Sequence, residues 1–394
     1  MIYPDDDDTH TERCKCGKII SGPTAHTWEN GECTICFTQH NNHTKSDWII
    51  DEAPIDGKAG WGYKNCSVCG MLMEVGNFAA VNDESFTVGH NCSFGNDLSM
   101  MYAILKSKFD DCTDIRLVVT KENGNEGRTI VPTERVIDGE TYYCFTYTGV
   151  AAKEMGDTLT AVLEFTRDGV DYSGTVDTYS LKEYAMERLA NSDNEKFKTL
   201  LVDLLNYGAA AQSYFEYRTD SLVNADLTDE QRALATQNYD PATVANTENS
   251  NSQTTYPAAI TGKNIVFGNR ITLLTATSFT QDSDLTGVFL RIRYTDINGE
   301  AVEKRIEGKD FVYRTDVNAY TAYFDGLKAS EFRVALELTL MNESGEAISE
   351  TVTYSLDTYV QNRLAKSESE SFKALLEVTM IYADSAKAYF SETN

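Results

Sequence analysis

From about residue 85 onward the chain states one pattern twice, so whatever it folds into must be built from two related units. The stretch "VGHNCSFGN" (residues 88–96) matches "TGKNIVFGN" (residues 261–269), which equates Gly89 with Gly262. Further on, "TYSLKEYAMERLANSDNEKFKTLL" (178–201) matches "TYSLDTYVQNRLAKSESESFKALL" (353–376). The likeness runs on to "SYF" (213–215) against "AYF" (388–390). Two copies of one domain, residues 85–236 and 263–394, are the simplest account. Residues 237–262 are polar and rich in Asn, Ser and Thr, the composition of a linker. Two beads at a loosely set angle are the expectation.

Each copy begins as strands and ends as helices. Residues 114–121, 141–147 and 158–166 are β-branched and aromatic between Gly or Asp turns, and 288–295, 319–324 and 332–340 answer them in copy two. This spacing predicts a small antiparallel sandwich. "SLKE" and "SDNE" place Ser180 with Glu183, and Ser192 with Glu195, as capping boxes that open two helices. In the second helix Phe197, Leu201, Leu204, Gly208, Ala211 and Phe215 fall on one face, as Phe372 to Phe390 do in copy two. Residues 227–235 read as a further short helix. The predicted fold class is multidomain α+β. A small zinc-knuckle region precedes two homologous β-sandwich domains, each with a C-terminal helical hairpin.

The reactive residues crowd into the first quarter of the chain. All five histidines (His10, His26, His40, His43, His90) and seven of the nine cysteines lie in the first 92 residues. "CKCGK", "CTICF" and "CSVCG" are knuckles, and a CxxC turn aims two thiolates at one point. The first expected site is Cys14, Cys16, Cys33 and Cys36. Its CxC half has unusual spacing, so His26, His40 or His43 can replace one member. The second is Cys66, Cys69, His90 and Cys92. His90 and Cys92 become Lys263 and Ile265 in copy two, which suits a task special to copy one. One or two structural zinc ions are the expected cofactor, because short polar segments need staples. In an oxidising compartment the same cysteines form disulfides instead. Cys112 and Cys144 have no counterpart in copy two and are expected as a disulfide. The expected layout is an acidic disordered tail over 1–9, knuckle units over 10–48 and 49–84, then the two copies and their linker.

The net charge of −27 repels phosphate backbones and anionic lipid heads, so nucleic acid and membrane surfaces are poor partners. No apolar stretch approaches the roughly 20 residues of a membrane span. The first residues, "MIYPDDDDTHTER", lack the basic and apolar regions of a signal peptide. The chain has no GxSxG, P-loop, GxGxxG or HExxH, and no catalytic residue is assigned.

"FTYTGVAAKEMGDTLTAVLEF", "YSLKEYAMERL" and "LLNYGAAAQSYFEYRTDSLVNADLT" resemble a repeated module of large secreted surface proteins of anaerobic Gram-positive gut bacteria. "HTWENGECTIC" is similar to the cysteine-rich knuckle repeats of the same proteins. The resemblance covers most of residues 10–236, and copy two departs from it, with "GLKASEF" in place of "GVAAKEM". It implies an extracellular or cell-surface location, within a larger or processed protein. The leading expectation is a non-catalytic module protein for display, adhesion or glycan attachment, whose partner is a glycan or another surface protein. Tyr142, Tyr143, Tyr147, Tyr320 and Tyr323 are the candidate sugar-stacking residues. A carbohydrate-active enzyme or accessory fragment is the second reading. A zinc-stabilised intracellular interaction protein is the third.

Overall fold

The computed structural model describes residues 2–4, 9–16, 18–29, 32–36, 43–94, 97–122, 124, 126–239, 256–367 and 369–391. Among them the chain is mostly β-sheet with five α-helices, an α+β architecture. No helix of the described residues is long and apolar enough to cross a membrane.

The N-terminal region holds short antiparallel sheets as well as knuckles. Strands β1 (Ile2–Pro4), β2 (Thr9–Arg13) and β3 (Ile19–Ala25) pair in that order. Part of the expected disordered tail is thus a strand, with Ile2 opposite Glu12 and Pro4 opposite His10. The Asp5–Asp8 run lies outside the described residues. β4 (Trp28–Glu29) and β5 (Glu32–Cys33) form a small hairpin, and β6 (Ile49–Glu52), β7 (Gly60–Asn65) and β8 (Leu72–Phe78) form a third sheet.

The repeat is visible in the topology. In copy one, β9 (Gly89–Phe94), β10 (Leu98–Leu105), β13 (Thr133–Ile137) and β14 (Glu140–Val150) are ordered β13-β14-β10-β9. β11 (Cys112–Lys121), β12 (Arg128–Ile130), β15 (Leu159–Arg167) and β16 (Val170–Tyr179) are ordered β12-β11-β15-β16. Copy two has β17 (Ile260–Phe267), β18 (Ile271–Thr277), β21 (Val312–Arg314) and β22 (Ala319–Phe324), ordered β17-β18-β22-β21. Its second sheet is β20-β19-β23-β24, from β19 (Phe289–Thr295), β20 (Ala301–Glu307), β23 (Leu336–Met341) and β24 (Val352–Tyr354). Strand for strand, the two copies have the same neighbours. β15 alternates buried and half-buried residues from Leu159 to Phe165, the period of a strand with one face turned to a core.

Helices follow in each copy: α1 (Leu181–Asn191), α2 (Glu195–Tyr214) and the short α3 (Asp229–Arg232), then α4 (Leu356–Leu364) and α5 (Glu370–Phe390). Ser180 and Glu183 form the expected capping box. The second expected box moves: Asn194 caps α2 by accepting from the Phe197 N–H, and Ser192 instead ends α1 and accepts from the Asn194 N–H. An Asn side chain suits that role as well as Ser does.

The chain divides into two compact units. The first comprises Met1–His90, Tyr102–Phe145 and Leu159–Thr178, and the second Asn91–Met101, Thr146–Thr158 and Tyr179–Asn394. The core of the first contains Phe109 edge-on to Phe165, with Phe165 stacked on Tyr172 at 4.7 Å. The second holds both helical hairpins and all of copy two. There α2 packs on α5, with Tyr207 stacked on Tyr382 at 5.5 Å. The copies are therefore not loosely set beads at this point. Gly208 lets α2 approach Val223 and Met155, since a Cβ there would come within 2.8 Å of the Val223 side chain and 3.0 Å of the Met155 sulfur.

The same region buries a carboxylate. Asp203 of α2 is fully buried and accepts from the Thr236 N–H at 3.1 Å and the Thr236 hydroxyl at 2.8 Å. Burial pushes its pKa up to about 6, with the Asp384 charge adding, against the Thr236 hydrogen bonds. The folded chain then holds this proton more tightly than the unfolded one. Stability must fall as pH rises from about 4 to about 6, and the penalty persists above that, at about 3 kcal/mol. Asp203→Asn is expected to flatten this part of the melting-temperature profile and to gain most near neutral pH. An unchanged slope between those pH values would contradict it.

Candidate metal centre

The first centre arises from two hairpins. In the β2–β3 hairpin, Thr9 lies opposite Ala25 and His10 opposite Thr24, which brings His10 beside the start of the segment that carries His26. In the β4–β5 hairpin, Trp28 pairs with Cys33, and Thr34 begins the turn that returns Cys36. The result is a cluster of His10, His26, Cys33 and Cys36 whose ligand atoms all lie within 4.8 Å of one another. His10 Nδ1 is 3.3 Å from His26 Nδ1, and Cys36 Sγ is 3.4 Å from His26 Nδ1. Zinc–ligand bonds of about 2.0–2.3 Å imply tetrahedron edges of about 3.3–3.8 Å, so the donors are already spaced for a metal. Two thiolates and two imidazoles are a standard closed set for structural zinc.

The electrostatics suit a thiolate. Burial opposes charge on Cys33, yet the N–H groups of Cys36 and Ile35, and then the His26 ring, outweigh it and bring the pKa down to about 6. The same device recurs at a second centre, His43, Cys66 and Cys69, again within 4.8 Å. Cys69 Sγ is 3.4 Å from His43 Nδ1. The Cys66-to-Cys69 turn closes with the Gly70 N–H donating to the Cys66 carbonyl at 3.0 Å, and Gly70 adopts φ +74°, open to glycine without strain. Burial opposes charge on Cys66 too, but the Cys69 and Val68 N–H groups and His43 bring its pKa down to about 6, whereas burial holds Cys69 up.

These centres correct the expected ligand sets. Cys14 and Cys16 are joined to each other in a disulfide, with Cα atoms 5.2 Å apart. They sit at the turn of the β2–β3 hairpin, and even Cys14, the nearer, is four residues from His10, about 13 Å of extended chain. His10, which the spacing of the sequence did not single out, takes the place foreseen for them. His26 joins the first cluster and His43 the second, while His40 lies outside the described residues. His90 and Cys92 join no cluster among the described residues, because both lie on β9. His90 meets Asp177 at 3.0 Å. Cys92 is buried with its sulfur 3.1 Å from that of Met100, and burial pushes its thiol up.

Cys112 and Cys144 are both free thiols, not the expected disulfide. They belong to different sheets: Cys112 opens β11 opposite Arg167, and Cys144 lies buried in β14 opposite Thr133. Of the tyrosines, Tyr142 and Tyr143 are half-buried, with Lys106 over the Tyr143 ring at 5.6 Å. Tyr147 is half-buried, and Tyr320 is half-buried edge-on to Tyr313. Tyr323 is exposed. They do not form one platform within either copy, since consecutive strand residues alternate faces.

No protein-family model matches the chain, and no curated protein matches it. A solved structure of a DUF4785 family protein from Legionella pneumophila is similar at 9% identity over 68% of this chain and 55% of that one, with a TM-score of 0.16. This chain thus spans 55% of that protein's length, and a likeness of this size carries no argument.

Proposed function

We propose that the chain is a non-catalytic extracellular module protein for surface display, adhesion or glycan attachment. In this reading two homologous β-sandwich domains with helical hairpins follow an N-terminal region held by structural zinc. The observation that carries it is the His10, His26, Cys33 and Cys36 cluster. Four protein donors leave no position for substrate, which favours a staple over a catalytic metal. The Cys14–Cys16 disulfide supports an oxidising exterior. The resemblance to secreted surface modules points the same way.

Cys112 and Cys144, two free thiols outside the clusters and not bridged to each other, favour the second reading, an intracellular zinc-stabilised interaction protein. One experiment separates the two. The chain is purified without reductant, its metal measured, and its thiols alkylated after unfolding in chelator. The extracellular reading expects up to two zinc ions per chain and seven alkylated cysteines, with Cys14 and Cys16 protected. Nine alkylated cysteines with zinc present would favour the intracellular protein. No zinc at all would remove the staple from both.

A further inference from the structure

The ring contacts between α2 and α5 follow a rule that the repeat makes legible. It equates Phe197 with Phe372, Tyr207 with Tyr382 and Tyr214 with Tyr389. Tyr207 stacks on Tyr382, its own counterpart, with centroids 5.5 Å apart and planes 7° from parallel. Phe197 stacks on Tyr389 at 5.1 Å, and Tyr214 meets Phe372 at 4.9 Å. The helices therefore run antiparallel, and in these ring contacts, where position i of one copy touches j of the other, j touches i. That reciprocity defines an isologous interface around a two-fold axis. Helices α2 and α5 thus pair as the two halves of an internal dimer.

We propose that this helix face is a self-recognition surface of the module, whose partner in trans is the same face on a second copy of this chain. An isologous patch is complementary to itself, so either stripe can pair with its twin as well as with its counterpart. Within one chain the two stripes cover each other, because a tether gives an effective concentration of about millimolar. Contacts that need unlike residues from the two copies favour this cis pairing. Arg270 of copy two donates to Asp97, its counterpart position in copy one, at 2.8 Å. Tyr239, just after copy one, donates to Asp357 of copy two, whose counterpart is Lys182. Neither can be duplicated in a pairing of like with like, so they give the closed chain its preference. Trans pairing follows when one stripe is spoiled and the other is left uncovered.

The test uses the full chain in sedimentation equilibrium across the micromolar range. Tyr207→Asp places a charge at the centre of the interface from the copy-one side and leaves the α5 stripe intact. It is expected to convert the chain from monomer to dimer. Tyr207→Asp with Tyr382→Asp spoils both stripes, and its dimer fraction at equal concentration is expected to be lower by about tenfold or more. Because Tyr207 also packs within its own copy, Phe197→Glu with Tyr214→Glu, at half-buried positions, is the second opening variant. Far-UV circular dichroism establishes that each variant keeps its helices. A folded opening variant that stays monomeric throughout, or a double Tyr variant that dimerises as strongly as the single one, overturns the proposal. Zinc content is the same in every arm, so the outcome is independent of the metal reading.

Discussion

Stripping metal from the intact chain with a strong chelator is expected to unfold residues 9–36 and leave both repeats folded. The reason is how little that segment buries. Among its described residues only His10, Thr11 and Cys33 are buried, while Ile19 and Ile20 are 55% and 61% exposed. Apolar burial at about 25 cal/mol per Å² cannot offset the ordering of so many residues from so small a core. Structural zinc contributes about 10–16 kcal/mol in segments of this kind, and there it supplies the folding energy itself. Hydrogen exchange would show it: amides of β2, β3 and β5 lose protection on chelation, while those of β11, β15, α2 and α5 keep theirs. Cys33→Ser should reproduce the first effect without chelator. Protection of β2 and β3 that survives metal removal would mean that another force holds the hairpins.

Arg333→Ala should be among the most destabilising single changes in the second unit, at about 3–5 kcal/mol. Arg333 grips Asp384 with two nitrogens at 2.6 and 2.7 Å and reaches Asp357 at 3.0 Å. Asp357 is fully buried. Truncating the arginine leaves that carboxylate in a dry site, answered by the Tyr239 hydroxyl and the Gln361 amide but no longer by the guanidinium. Arg293, paired with Glu303 where both side chains are about half exposed, is the control, and Arg293→Ala should cost under about 1 kcal/mol. Urea midpoints of the two variants measure the contrast. Equal shifts would mean that burial of the Asp357 pair carries no special weight.

The repeat was legible because duplication writes the same constraint twice, and a pattern found in both copies is read against itself. Strand β22 (Ala319–Phe324) and the Ser180 cap fall where alternation and the capping box put them, since both are local chemistry. The candidate metal centres were legible only by half. Cys33 with Cys36, and Cys66 with Cys69, announce themselves because each turn carries its own geometry. Their histidines come from across a hairpin, and His10 reaches its centre through the β2–β3 register, which no spacing along the chain encodes. Cys112 and Cys144 misled because co-occurrence in one copy says nothing of which sheet each strand joins. The packing of α2 on α5 was hidden for a related reason. An apolar stripe such as that from Phe197 to Phe215 shows that a helix must be covered, but not by what.

The reciprocal rings of α2 and α5 give the number of modules a meaning. A chain with two of them has no face left over. Remove one, by truncation or by recombination within the gene, and the survivor presents its aromatic stripe to water, where it invites aggregation or proteolysis. Add one, and a stripe is left wanting a mate. Under this pairing, parity becomes a property on which selection can act. Lengthening is tolerated in steps of two modules, and an odd count survives only where some other surface closes the last face.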